Sequence, residues 1–156
     1  MEVVIDEVHI QQLIERARQG EKVVMIGLGN SMRPLLKDGR DFIELEYIQD
    51  GVMLKKYDII FYKSYTGTYV LHRIFKVTQE GCIMNGDGNL LVEPVVERKD
   101  IYLKAVGIWR NGRHIKMNAR GYRAYSILWM KSLPIRGYLF RIHGLIRKTR
   151  KGKRKI

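Results

Sequence analysis

The segment Gly27–Pro34 presents a serine in a setting that suits acyl transfer. It follows a short apolar run, contains Gly27 and Gly29, and places Ser31 directly before Met32. Glycines permit a sharp turn and let a substrate carbonyl approach the backbone N–H groups, as a serine nucleophile with an oxyanion hole requires. A tight turn with a capping serine has the same composition, so this segment alone does not indicate catalysis.

Two later segments supply a candidate base and a candidate acid. His72 interrupts an apolar, strand-like run, and imidazole is the common general base for a serine hydroxyl near neutral pH. Asp87 lies between two glycines, and Glu93 follows shortly after it. Either carboxylate could hold the imidazole in the correct tautomer. A structural histidine and an Asx turn at Asp87 are the alternative interpretations.

The surrounding pattern predicts a mainly β domain that would position these residues. In Phe42–Tyr47, apolar residues alternate with two glutamates, as in a half-buried strand. Many short strands with glycine turns between them favour a β-rich, barrel-like domain. The other strand candidates are Val23–Leu28, Asp58–Tyr62, Thr68–Val77, Gly81–Asn85 and Ile101–Trp109.

Helical patterns precede and follow the strands. Residues 6–19 carry an apolar stripe and end at Gly20, a suitable C-cap. After Asn118, apolar residues recur among Arg and Lys, which predicts one or two amphipathic helices broken near Pro134. The expected organisation is an N-terminal helix (1–21), a β domain (22–117), a basic amphipathic segment (118–146) and a basic tail (147–156).

Charge is distributed very unevenly along the 156 residues. Residues 1–100 contain 13 Lys/Arg and 16 Asp/Glu, whereas residues 101–156 contain 16 Lys/Arg and no acidic residue. Such asymmetry indicates an anionic partner for the C-terminal third, either a membrane surface or nucleic acid. Apolar anchors mixed with basic residues in 119–156 suit an anionic membrane surface, and a helix packed on the β domain with a solvated basic tail is the alternative.

The chain shows no secretory signal and no apolar run long enough to cross a bilayer. We therefore expect a cytoplasmic location, with peripheral attachment to the membrane through residues 119–156. His9, His114 and His143 do not form metal-ligand spacings with cysteine or carboxylate clusters. No metal and no cofactor are predicted.

The order and spacing of these motifs resemble the type I signal peptidase and LexA-like serine peptidase superfamily. The resemblance runs from about Val23 to Gly107. The matching motifs are Ser-Met-x-Pro (31–34), Asp-Gly-Arg-Asp (38–41), Tyr-Asp-Ile-Ile-Phe (57–61), Leu-His-Arg-Ile (71–74) and Gly-Asp-Gly-Asn (86–89). In this superfamily the base is a lysine in many bacterial members and a histidine in the archaeal and endoplasmic-reticulum type, which His72 matches.

The resemblance implies a fold and a set of site residues. The fold would be a coiled antiparallel β-sheet or partial barrel of the signal-peptidase/LexA type. Ser31, His72 and Asp87 would be catalytic, with Glu93 as the alternative acid. Gly29 stands where many relatives carry a hydroxyl residue, so the oxyanion would rely on backbone N–H groups. The residues expected to bind oxyanion or substrate are Gly29, Asn30, Met32 and Val70.

The expected function is a serine endopeptidase that cleaves a peptide or protein precursor. Two alternatives stay open: a LexA-like, nucleic-acid-associated regulator, and a non-catalytic member of the fold that binds peptides. About 20 residues precede the β domain, too few for a helix-turn-helix module with its supporting core, so specific nucleic-acid binding is not expected.

Overall fold

An eight-stranded antiparallel sheet forms the body of the protein. The computed structural model describes residues 7–27 and 29–152. The strands are β1 (Val23–Ile26), β2 (Phe42–Tyr47), β3 (Ile59–Lys63), β4 (Tyr69–Val77), β5 (Gly81–Asn85), β6 (Val95–Glu97), β7 (Ile101–Arg110) and β8 (Arg113–Lys116). Their order in the sheet is β1-β2-β7-β3-β4-β5-β6, and β8 also pairs with β7.

The predicted fold class, mainly β with helices at both ends, is confirmed. Within the described residues the sheet is not closed into a barrel, because its two outer strands, β1 and β6, pair only with β2 and β5. The predicted alternation in β2 is also confirmed, since Ile43 and Leu45 are fully buried while Phe42 and Glu46 are exposed. In the described residues β1 pairs with β2 alone, so its other edge is free.

Side chains that alternate along β3 build a separate core on each face of the sheet. Ile59 and Phe61 join the core that lies beneath α1 (Glu7–Arg18), where Ile14 and Ala17 are buried. Ile60 and Tyr62 join the second core on the opposite face. The residue composition of β3, apolar at almost every position, reflects a strand covered on both sides.

Strand prediction failed for β6 and β8. β6 has three residues and β8 has four, and neither carries a period-2 apolar pattern. β8 reads Arg113–Lys116 and is paired because a tight turn at Asn111 and Gly112, both with positive φ, folds it back on β7. The other predicted strands begin and end within two residues of the observed ones.

The C-terminal segment is helical and breaks where proline predicts a break. α2 (Arg120–Lys131) is followed by a short 3₁₀ turn, Leu133–Ile135, and by α3 (Arg136–Gly152). α3 therefore continues past residue 146 into the predicted tail, whose residues 153–156 lie outside the described part, as do residues 1–6 of the predicted N-terminal unit. Among the helices described, none has the length and apolar character needed to cross a membrane.

Candidate active site

Ser31 lies in the connection between β1 and β2, which turns sharply after Gly27. Gly29 has φ +77°, a conformation that side chains other than glycine rarely adopt, and its N–H donates to Asp38 Oδ1 at 2.9 Å. The Gly27 N–H donates to the Asp41 carbonyl at 2.8 Å. These contacts close the turn and present Ser31 half-buried at its end.

A buried carboxylate holds the far end of the same connection. Asp41 is fully buried and accepts hydrogen bonds from the side chains of Arg40 and Arg110 and from the Lys37 N–H. Burial alone would raise the pKa of Asp41, but these donors lower that pKa to about 2. Asp41 is therefore ionised and anchors the serine connection to β7 through Arg110.

His72 lies in the middle of β4 and is almost completely buried. Its Nδ1 contacts the Glu93 carboxylate and lies 3.0 Å from the Tyr62 hydroxyl, which donates to the same carboxylate. A carboxylate accepts a hydrogen bond, so in the neutral form of the ring the proton belongs on Nδ1. The lone pair then lies on Nε2, the atom that a general base would use.

Glu93 and Tyr62 are held in opposite protonation states. Burial alone would raise the pKa of Glu93, but hydrogen bonds from His72 and Tyr62 outweigh it and leave that pKa below its ordinary value. Burial, and next the hydrogen bond to Glu93, raise the pKa of the Tyr62 phenol. Glu93 is therefore an anion beside the imidazole, and Tyr62 stays a neutral donor.

His72 Nε2 is buried and finds no hydrogen-bond partner among the described residues. A methyl group added at Gly86 would lie 3.0 Å from this nitrogen and 2.5 Å from the Ser31 carbonyl oxygen. Gly86 thus fits between the histidine and the serine turn because it has no side chain. No hydrogen bond joins the Ser31 hydroxyl to His72 in the part of the chain described.

The glycine loop after β5 packs directly on the serine turn. The Gly88 N–H donates to the Ser31 carbonyl at 2.7 Å, and a methyl group at Gly88 would lie 2.4 Å from the Asn30 carbonyl oxygen. The two glycines around Asp87 therefore serve close backbone approach. This loop therefore packs the serine turn against the end of β5.

No hydrogen bond or ion pair joins Asp87 to His72 in the described structure, so the contact expected between them is not found there. The two carboxylate oxygens of Asp87 each accept a hydrogen bond from Arg73 at 2.8 Å, and both side chains are fully buried. Successive residues of a strand point to opposite faces, so the carboxylate that pairs with Arg73 lies away from His72. The alternative acid, Glu93, makes the contact to the imidazole instead.

Three site residues were missed by sequence reasoning. The sequence pattern identifies Tyr62 only as a strand residue, although the hydroxyl of a buried tyrosine requires a hydrogen-bond partner. Arg73, next to His72, was an unused signal for an acidic partner. Arg136 is fully buried and donates to Asn85 Oδ1 at 2.7 Å and to the carbonyls of Gly86 and Asn89.

The C-terminal helices therefore hold the glycine loop in place. Arg73 donates to Tyr122 and Ser126 of α2, and the Trp129 indole donates to the Asp87 carbonyl at 3.0 Å. Burial lowers the pKa of Arg136, and nearby charges alter it less. The basic C-terminal segment therefore supports the site.

A cleft of about 400 Å³ opens beside Ser31. Ile10 and Leu13 of α1 line it, and its surface is mostly apolar. Asn30 does not line the cleft and is exposed. The predicted residues that do line it are Gly29, Ser31, Met32 and Val70.

The half of β4 next to this cleft has an open edge. Residues Tyr69–His72 pair with β3, but pairing with β5 begins only at Arg73 in the described structure. Met25 and Ile26 of the edge strand β1 line the same cleft. Two strand edges with unpaired backbone groups therefore border the space beside Ser31.

Comparison with protein-family models and with curated protein sequences found no match to this chain. The assignment of function therefore depends on the residues of the site and their geometry.

Proposed function

We propose that the protein is a serine endopeptidase of the signal-peptidase type, with Ser31 as nucleophile, His72 as general base and Glu93 as the acid that orients it. The observation that carries the proposal is the state of His72. Its Nδ1 is held by Glu93 and Tyr62, and its Nε2, beside the serine turn, has no partner among the residues that the structure describes. Such an imidazole is prepared to accept a proton.

The proposed reaction uses only these side chains and water. His72 Nε2 takes the proton of the Ser31 hydroxyl as Oγ bonds to the peptide carbonyl carbon. The C–N bond then breaks, and His72 gives its proton to the leaving amine. Water attacks the resulting ester, its proton passes through His72 to Ser31 Oγ, and the carboxylic acid product is released. Glu93 stabilises the imidazolium and stays ionised throughout.

Backbone N–H groups at the serine turn would hold the oxyanion. The Gly29 N–H is already committed to Asp38, so the proposal assigns this role to the Ser31 N–H, with the exposed Asn30 side chain as a second donor. Gly29 still matters, because its positive φ directs the turn toward the cleft.

The open edges of β1 and β4 support an extended peptide as the substrate. A peptide laid between them could pair its backbone with both strands. One of its side chains would enter the mostly apolar cleft, which favours an apolar residue near the cleaved bond. We also propose that the antiparallel sheet is a coiled sheet of the signal-peptidase/LexA type.

A non-catalytic peptide-binding protein is the second candidate. The observation that favours it is the missing hydrogen bond between Ser31 and His72. In enzymes without substrate this contact is often long and tightens only in the complex, so it does not decide the matter.

A phosphonate probe that reacts with activated serines distinguishes the two candidates. We expect labelling of the wild type, none in Ser31→Ala, and a rate lowered roughly 10³-fold or more in His72→Ala. Ser64→Ala and His114→Ala are matched controls, because Ser64 lies in the β3–β4 turn and His114 pairs with Glu44.

Two results would contradict the proposed mechanism. An unlabelled wild type would assign the site to peptide binding. Labelling that survives His72→Ala but is lost in Lys55→Ala, Lys56→Ala or Lys63→Ala would mean that a lysine is the base.

A further inference from the structure

An apolar stripe that begins at Ile135, the last residue of the 3₁₀ turn, and continues along α3 faces outward instead of joining the core. Its side chains follow the i, i+3, i+4, i+7 spacing that places residues on one face of a helix. All four are exposed, and Tyr138 is 66% exposed. We call this set the α3 stripe: Ile135, Tyr138, Leu139 and Ile142.

Residues outside the stripe attach α3 to the domain. Arg136 is fully buried beneath the glycine loop, and the Phe140 ring lies 6.2 Å from the Trp129 ring of α2. A methyl group added at Gly137 would lie 3.7 Å from the Leu90 side chain, which places the loop after β5 beside the start of the helix. Leu90 and its neighbour Leu91 are themselves exposed and extend the apolar surface.

The surroundings of the α3 stripe are cationic. Residues 101–156 carry 16 Lys/Arg and no acidic residue. Arg120, Arg123, Lys131 and Arg141 are exposed on the two helices. Beyond the stripe, seven of the nine residues 147–155 are Lys or Arg. A partner for this surface must offer negative charge together with an apolar phase.

We propose that the α3 stripe docks on an anionic lipid surface, with α3 lying along the headgroups. Aliphatic and tyrosine side chains gain free energy by entering the apolar part of a bilayer, and Lys and Arg gain it from the anionic headgroups. Nucleic acid meets only the requirement for negative charge, because its outer surface is a phosphate backbone without an apolar phase. Exposed Ile and Leu side chains therefore favour lipid.

Sedimentation of the full chain with vesicles tests this assignment. We expect binding to vesicles of phosphatidylcholine mixed with phosphatidylglycerol to be at least about tenfold tighter than to phosphatidylcholine alone. The double variant Tyr138→Ser, Ile142→Ser is expected to bind the anionic vesicles about tenfold more weakly than the wild type. Since both side chains are exposed, this variant should fold and keep the wild-type rate of Ser31 labelling in solution.

A matched double variant separates the stripe from general surface hydrophobicity. Met53→Ser, Tyr65→Ser removes two side chains that are each 79% exposed but lie in other loops, and it should bind vesicles like the wild type. Equal vesicle binding by the stripe variant and the wild type would overturn the proposal. Steeply salt-dependent binding to a DNA duplex without vesicle binding would overturn it in favour of nucleic acid.

Discussion

Two neighbouring residues of β4 lead to two contrasting sites on opposite faces of the sheet. Arg73 meets Asp87, and all three guanidinium nitrogens donate hydrogen bonds, to Asp87, Tyr57, Tyr122 and Ser126. His72 pairs with Glu93, but only one of its ring nitrogens has a partner in the described part of the chain. Both acids follow β5 in the sequence, so neither their residue type nor their position along the chain shows which of them pairs with His72.

The difference lies in how completely each pair is satisfied. The Arg73–Asp87 pair is closed, fully buried and tied to α2, as expected of a group that holds elements together. The His72–Glu93 pair is oriented by Tyr62 and leaves one basic atom beside a serine. We infer that the first pair serves stability and the second serves chemistry, and the following variants test this separation.

Asp87→Asn should have the largest effect, and the effect should be on stability. It removes one charge and leaves the buried Arg73 cation uncompensated, which typically costs about 3–5 kcal/mol of unfolding free energy. Urea denaturation measures the loss, and Asp50→Asn, at an exposed aspartate, is the control. Unchanged stability together with lost Ser31 labelling would instead place Asp87 in the catalytic site.

Gly86→Ala should reduce activity by disturbing the contact between the serine turn and His72. The added methyl group would lie 2.5 Å from the Ser31 carbonyl oxygen, so the serine turn must shift away from His72. A misplacement of this kind lowers catalytic rates by about 10²-fold. The readout is the rate of phosphonate labelling. Gly121→Ala, where no atom lies within 4 Å of the new methyl group, should label normally; equal rates in both variants would contradict the assigned contact.

Tyr62→Phe should have the smallest of these effects. The ring stays buried, but Glu93 loses a donor and His72 loses a neighbour that fixes its orientation, for which about a tenfold slower labelling is expected. A role in positioning also predicts a changed pH profile of labelling, which a loss of packing alone would not produce. Labelling with the wild-type rate and pH profile would exclude Tyr62 from the site.

Sequence patterns predicted the elements that follow a simple period. The alternation in Phe42–Tyr47 and the glycine turn before Ser31 each have a local physical cause, so they could be read directly. The resemblance of Gly86-Asp87 to the superfamily's Gly-Asp motif favours Asp87 over Glu93 as the acid, but the glycines on either side of Asp87 serve close packing on the serine turn. Which acid meets His72 depends on the path of the loop after β5, and this path has no local signature.

Arg136 shows a second limit of sequence reasoning. It lies in a segment rich in Lys and Arg, and composition does not distinguish it from the other basic residues there. In the structure it is fully buried and donates to the loop beside the site. Its role depends on the packing of α2 and α3 against the sheet, and only long-range contacts determine that packing.

The rate of Ser31 labelling in Glu93→Gln tests most directly whether the His72–Glu93 pair serves chemistry. The amide keeps the size of the side chain but removes the charge that orients His72, so labelling should slow by about 10²- to 10⁴-fold. The unfolding free energy, measured on the same preparation, should change by less than about 2 kcal/mol. Glu97→Gln, at an exposed glutamate, should label like the wild type. A wild-type labelling rate in folded Glu93→Gln would contradict the account.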